Sequence, residues 1–95
     1  MLKNFSFHDC VVKSVDWDEK NLVITFDNKG GFTSLQKITY IDAEIVEQEG
    51  DLLEAWWLYE EIYRTESGYA FHTFLQAHNG EYIYFIVNAK DIVFE

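Results

Sequence analysis

The side chains best equipped for chemistry in this chain are three histidines and a lone thiol: His8, Cys10, His72 and His78. His8 and Cys10 stand two apart, so on an extended strand they share a face. Thiolate and imidazole are zinc donors, but a closed structural site needs four converging ligands. The chain has no Cys-x-x-Cys, His-x₃-His or His-Glu-x-x-His spacing. His8, Cys10 and His72 are the candidates if a metal were held. The favoured reading puts His8 at a strand start and makes Cys10 a small buried apolar group, with no metal or other cofactor.

A Cys10 nucleophile served by His8 or His72 needs an electropositive niche to lower its thiol pKa. The surplus of carboxylates works against that. Paired acids of the glycosidase kind must flank one bond. Glu60 and Glu61 are adjacent, so on a strand they point to opposite faces, whereas Glu61 and Glu81 can share one. A domain this small offers little depth for a sugar cleft. Lys29-Gly30-Gly31 lacks the Lys-Ser/Thr pair of a phosphate loop. These residues favour a binding module over an enzyme.

Charge and composition narrow the partner. The chain has 95 residues, 48% hydrophobic and 18% aromatic, with 17 acidic against 7 basic residues and a net charge of −10. Such a balance argues against a duplex or single-strand nucleic-acid binder, which needs a basic surface, and against docking on an anionic membrane. The longest apolar run, Tyr82 to Val87, is far short of the ~20 residues that span a bilayer. The single cysteine permits no internal disulfide, and the start of the chain lacks the apolar stretch of a secretory signal, so the expected setting is the cytoplasm. The charge is also uneven. Asp42 to Glu66 carries nine acids and only Arg64, while Met1 to Ile41 is balanced.

The punctuation is that of β-structure. Asp27-Asn28-Lys29-Gly30-Gly31, Glu66-Ser67-Gly68 and His78-Asn79-Gly80-Glu81 are turn signals between runs of Val, Ile, Phe, Tyr and Thr. Strands are predicted at about 10–17, 21–27, 35–47, 55–65, 69–78, 81–88 and 91–95. A phase change near Tyr40-Ile41 suggests a bulge in the third. The ambiguous segment is 51–64: Asp51 with Glu54 fits a helix capping box, but Trp56, Trp57, Tyr59, Ile62 and Tyr63 suit a pleated strand. The predicted fold is all-β, a mostly antiparallel six- to seven-stranded small sandwich or partly open barrel over residues 1–95 as one domain. A helix within 51–64 would make it α+β.

Two-residue loops at Asn79-Gly80 and Ser67-Gly68 would set the faces of the C-terminal strands. One face would then bury Trp56, Leu58, Ile62, Phe71, Leu75, Ala77, Tyr82, Tyr84 and Ile86. The other would mix the aromatics Trp57, Tyr59, Tyr63, Phe74, Ile83, Phe85 and Val87 with Glu61, His72, Gln76, His78 and Glu81. Either this mixed face packs under another part of the chain, or it is a partner surface built from Trp57, Tyr59, Glu61, Tyr63, His72, His78 and Glu81.

Two stretches carry a resemblance. Phe7-His8-Asp9-Cys10, followed by Val12, Val15 and Leu22-Val23-Ile24-Thr25-Phe26, resembles the opening of small bacterial domains of unknown function, some related to immunity proteins of toxin systems. Trp56-Trp57-Leu58-Tyr59-Glu60-Glu61-Ile62-Tyr63, with Ile83-Tyr84-Phe85-Ile86 and Ile92-Val93-Phe94, has the same character. The resemblance implies a compact β-rich fold without established enzyme activity, and it supplies no catalytic residue. The resulting expectation is a non-enzymatic acidic module that engages a basic protein partner, an immunity-type inhibitor being one version. The alternatives are a small metal-binding or Cys/His-dependent enzyme and a homo-oligomeric structural domain.

Overall fold

The computed structural model describes residues 10–27 and 36–95. His8, Asp9 and the Asn28-Lys29-Gly30-Gly31 turn therefore lie outside the described residues. The described chain forms eight strands: β1 (Val11–Asp18), β2 (Asn21–Asp27), β3 (Lys37–Ile41), β4 (Glu44–Gln48), β5 (Trp56–Thr65), β6 (Gly68–Gln76), β7 (Tyr82–Ala89) and β8 (Asp91–Phe94). All pairings are antiparallel, in one sheet of order β4-β7-β6-β5-β1-β2-β3-β8. The all-β class follows from the sequence as expected. The strand count is one higher because the predicted 35–47 strand breaks in two at Asp42-Ala43.

That break bends the whole sheet. β3 and β4 lie six places apart in the sheet order, roughly 29 Å across a flat sheet at ~4.8 Å per strand. Two residues join them, and Lys90 alone joins β7 to β8. The sheet can satisfy both links only by rolling over on itself, and it does so without closing. Ring contacts confirm the roll: Tyr40 of β3 meets Phe71 of β6 edge-on at 5.2 Å, and Phe26 of β2 meets Trp57 of β5 at 5.0 Å. Asp42 takes a positive φ of 51° at the corner. Its amide donates to the Asn21 side chain, the Ala43 amide donates to the Lys20 carbonyl, and the Lys90 ammonium lies 3.2 Å from the Asp42 carboxylate.

Inside the roll, Val12, Leu22, Ile24, Phe26, Ile38 and Tyr40 of one half pack against Trp57, Phe71, Leu75, Ile83, Phe85 and Val87 of the other. This corrects the predicted faces. The loop between β6 and β7 has three residues, His78-Asn79-Gly80, not two: the Ala77 amide donates to the Glu81 carbonyl, and Gly80 takes a φ of 91°. The added residue shifts the register by one, pairing Leu75 with Ile83 and Phe74 with Tyr84. Ile83, Phe85 and Val87 accordingly face inward, and Tyr82, Tyr84 and Ile86 face outward.

The β5–β6 turn is Glu66-Ser67, with Thr65 opposite Gly68. Gly68 is needed for a close approach: a Cβ there would stand 2.3 Å from the Ala89 carbonyl oxygen. A bulge between Trp57 and Tyr59 then reverses the parity of the paired tryptophans. Trp57 is fully buried and Trp56 is 50% exposed, the opposite of the expectation.

No helix occurs in 51–64. The Asp51 carboxylate caps the Leu53 amide at 3.0 Å, but in a turn that Glu54 ends with a φ of 65°. The capping signal was an Asx turn, because the aromatic, β-branched run behind it fits a strand better than a helix. The two tryptophans provide a test of the bulge. Trp57→Ala is expected to cost about 3–5 kcal/mol. Trp56→Ala should cost less than about 1 kcal/mol. Comparable shifts of the urea midpoint in the two variants would contradict the inward–outward assignment.

Candidate functional site

Polar side chains gather on both sides of the β5–β6–β7 sheet, and the two groups differ in kind. On the inner side, Glu60 stands opposite Thr73 in the strand register. Its carboxylate accepts a hydrogen bond of 2.9 Å from the Trp57 indole N–H. Burial, reinforced by the Glu60 charge, pushes the Tyr40 phenol well above the usual tyrosine range. Tyr40 therefore stays neutral at ordinary pH. The Thr73 hydroxyl is fully buried and has no hydrogen-bond partner among the described residues. Of this inner group, the Trp57–Glu60 bond ties two side chains of β5 together.

On the outer side, β5 presents Trp56, Tyr59, Glu61 and Tyr63, β6 presents His72 and Phe74, and β7 presents Tyr84. Five rings form an unbroken chain. Tyr59 stacks on Phe74 at 5.6 Å, and Phe74 meets Tyr84 at 4.9 Å. Tyr84 lies 6.0 Å from His72, and His72 lies 5.0 Å from Tyr63. A hydrogen bond of 2.9 Å links His72 Nδ1 to the Tyr84 hydroxyl. The Tyr63 phenol donates to the Glu61 carboxylate, which raises its pKa from the ordinary value both through that bond and through the adjacent charge. Tyr59 and Tyr63 nevertheless remain about half exposed, at 50% and 48%.

The sequence-predicted surface thus divides in three. Tyr59, Glu61, Tyr63 and His72 come together on the outer face. Trp57 leaves it for the core. His78 and Glu81 sit at the β6–β7 turn, where with Glu49, Asp51, Leu53 and Tyr82 they line a shallow groove of about 420 Å³. Phe74 belonged to the expected mixed face but was not among its site residues, and Tyr84 was assigned to the core. The signal for Tyr84 was Asn79, whose side-chain oxygen accepts from the Glu81 amide and sets the three-residue loop. Cys10 is buried in the core cluster, on the opposite side of the sheet from His72. Among the described residues no group of three His, Cys, Asp or Glu side chains is placed to hold a metal ion.

Chemically, the outer face joins an accessible carboxylate to partly exposed aromatic rings, groups that attract cations. β4 adds acid beyond β7: Glu47 pairs with Ile86 and Glu44 with Asn88, which places both acids on the outer side. No helix of the described structure is long and apolar enough to cross a membrane.

Residues 1–85 match the model of a family described as "Protein of unknown function (DUF4085)". Neither a curated protein nor a solved structure matches the chain.

The buried phenol has a consequence for stability at high pH. Tyr40 ionises at about pH 10 when unfolded and resists ionisation when folded, so its contribution is intact below pH 10 and declines as pH rises above it. The slope from one such group is about 1.4 kcal/mol per pH unit. Tyr40→Phe keeps the ring and removes that proton. Urea midpoints measured across this range should fall more steeply in the wild type than in the variant, and parallel declines would contradict the assignment.

Proposed function

Starting from a chain that belongs to this family of unknown function, we propose that it is a non-enzymatic interaction module whose outer β5–β6–β7 face docks a basic protein partner. One observation carries the reading: an exposed aromatic chain lies between acidic flanks. Tyr59, Phe74, Tyr84, His72 and Tyr63 form the centre. Glu61 stands on one side, and Glu44 and Glu47 stand on the other. Stable interfaces combine such an aromatic centre with a polar rim, the rings supplying lasting affinity. Charge supplies encounter rate and partner choice. The stretch from Asp42 to Glu66, with nine acids against one arginine, runs through β4 and β5 and gives the face its sign.

A cytoplasmic inhibitor of a basic toxin, of the immunity type, is one form that such a module takes. Its acidic, aromatic surface would cover the cationic groove with which a nuclease-like target holds its substrate.

The test is comparative capture with the tagged wild-type chain and with Tyr59→Ser and Glu61→Lys variants, at low and high salt. Proteins of high isoelectric point should be retained by the wild type, lost from both variants and released as salt rises. Recovery of the same proteins by all three chains, indifferent to salt, would remove this face from consideration.

A further inference from the structure

Resting on that reading, the geometry points to a specific anchor: we infer that Tyr59, Phe74, Glu61 and Tyr63 form a cradle for an arginine side chain of the basic partner. Glu61 lies midway between Tyr59 and Tyr63 on the outer side of β5, about 7 Å along the strand from each. Both tyrosines are about half exposed, so rings and carboxylate are accessible together. Tyr59 stacks on Phe74 with an interplanar angle of 27° and stays half exposed, so its ring is steadied from one side and open on the other, next to Glu61. A planar guanidinium can lie against that ring while its N–H groups donate to Glu61, satisfying ring and carboxylate together.

A lysine ammonium, compact and strongly hydrated, makes the charge contact but not the stack. Among the described residues no ion pair engages Glu61: those present join Lys37 to Glu95 and Lys90 to Asp42. Charge also decides between occupants. A second copy brings a further net charge of −10 to the face, whereas an arginine-bearing partner neutralises it.

The experiment uses the full chain and two probes of equal charge, hexa-arginine and hexa-lysine peptides, titrated by calorimetry at low salt. Hexa-arginine should bind at least about fivefold more tightly. Glu61→Gln and Tyr59→Leu should each erase that preference. Asp16→Asn, an identical charge change on β1, should leave it intact. Urea midpoints identify any variant that fails to fold, and Glu61→Gln carries the result if Tyr59→Leu does fail.

Equal affinity for the two peptides, or equal effects of Glu61→Gln and Asp16→Asn, would overturn the arginine cradle and leave general basic docking standing. Absence of binding by either peptide would overturn both. Sedimentation of the free chain as a dimer that Glu61→Gln dissociates would assign the face to a second copy and likewise overturn the cradle.

Discussion

Two short links hold this molecule in its shape. Asp42-Ala43 carries the chain across six places of the sheet order, from β3 to β4, and Lys90 carries it back across six, from β7 to β8. Links of that length forbid a flat sheet, so the eight strands roll until Tyr40 meets Phe71 and Phe26 meets Trp57. The roll creates an inside, which takes the apolar set with Tyr40, and an outside, which keeps Tyr59, Tyr63 and Tyr82 with Glu44, Glu47 and Glu61. The Asp42–Lys90 ion pair sits at this corner but is exposed and contributes little by itself. The hydrogen bonds from Asp42 and Ala43 to Asn21 and Lys20 fix the bend, because they supply partners to amides that leave the ladder there.

The elements themselves were legible in the sequence. Alternation in Leu22-Val23-Ile24-Thr25-Phe26 and the glycine-marked turns placed most strands to within a residue or two. Faces were harder to read, because each depends on counting loop residues. Asn79-Gly80 favours a two-residue hairpin, but Asn79 turns its side chain onto Glu81 and adds His78 to the loop. That single residue exchanged Tyr84 for Phe85 in the core. The bulge after Trp57 has no local signature, since two adjacent tryptophans suit either face equally. The fold of the sheet decides between them, as Phe26 arrives from β2 to cover one ring only.

The candidate site was legible in part for the same reason. Tyr59, Glu61, Tyr63 and His72 share parity through the regular part of the β5–β6 pairing, so alternation alone grouped them. His78 belongs to the loop and Glu81 closes it opposite Ala77, where alternation fails. What the sequence could not supply was the connection among rings. Phe74 and Tyr84 become the bridge between Tyr59 and His72 only in the true register. The acidic flank of β4 also required topology, because β4 follows β3 in the chain but pairs with β7.

The strand order has an implication for how the chain emerges during synthesis. β3 and β4 are made before β5 and β6, yet the strands β8 and β7 that pair with them are translated only afterwards. Until then both present unsatisfied backbone edges, the kind of surface that invites mispairing between nascent chains. Glu44 and Glu47, with the irregular pairing between Ile45 and Glu47, make β4 a poor template for such pairing. The same carboxylates that colour the finished surface thus act as gatekeepers while the ribosome is still at work.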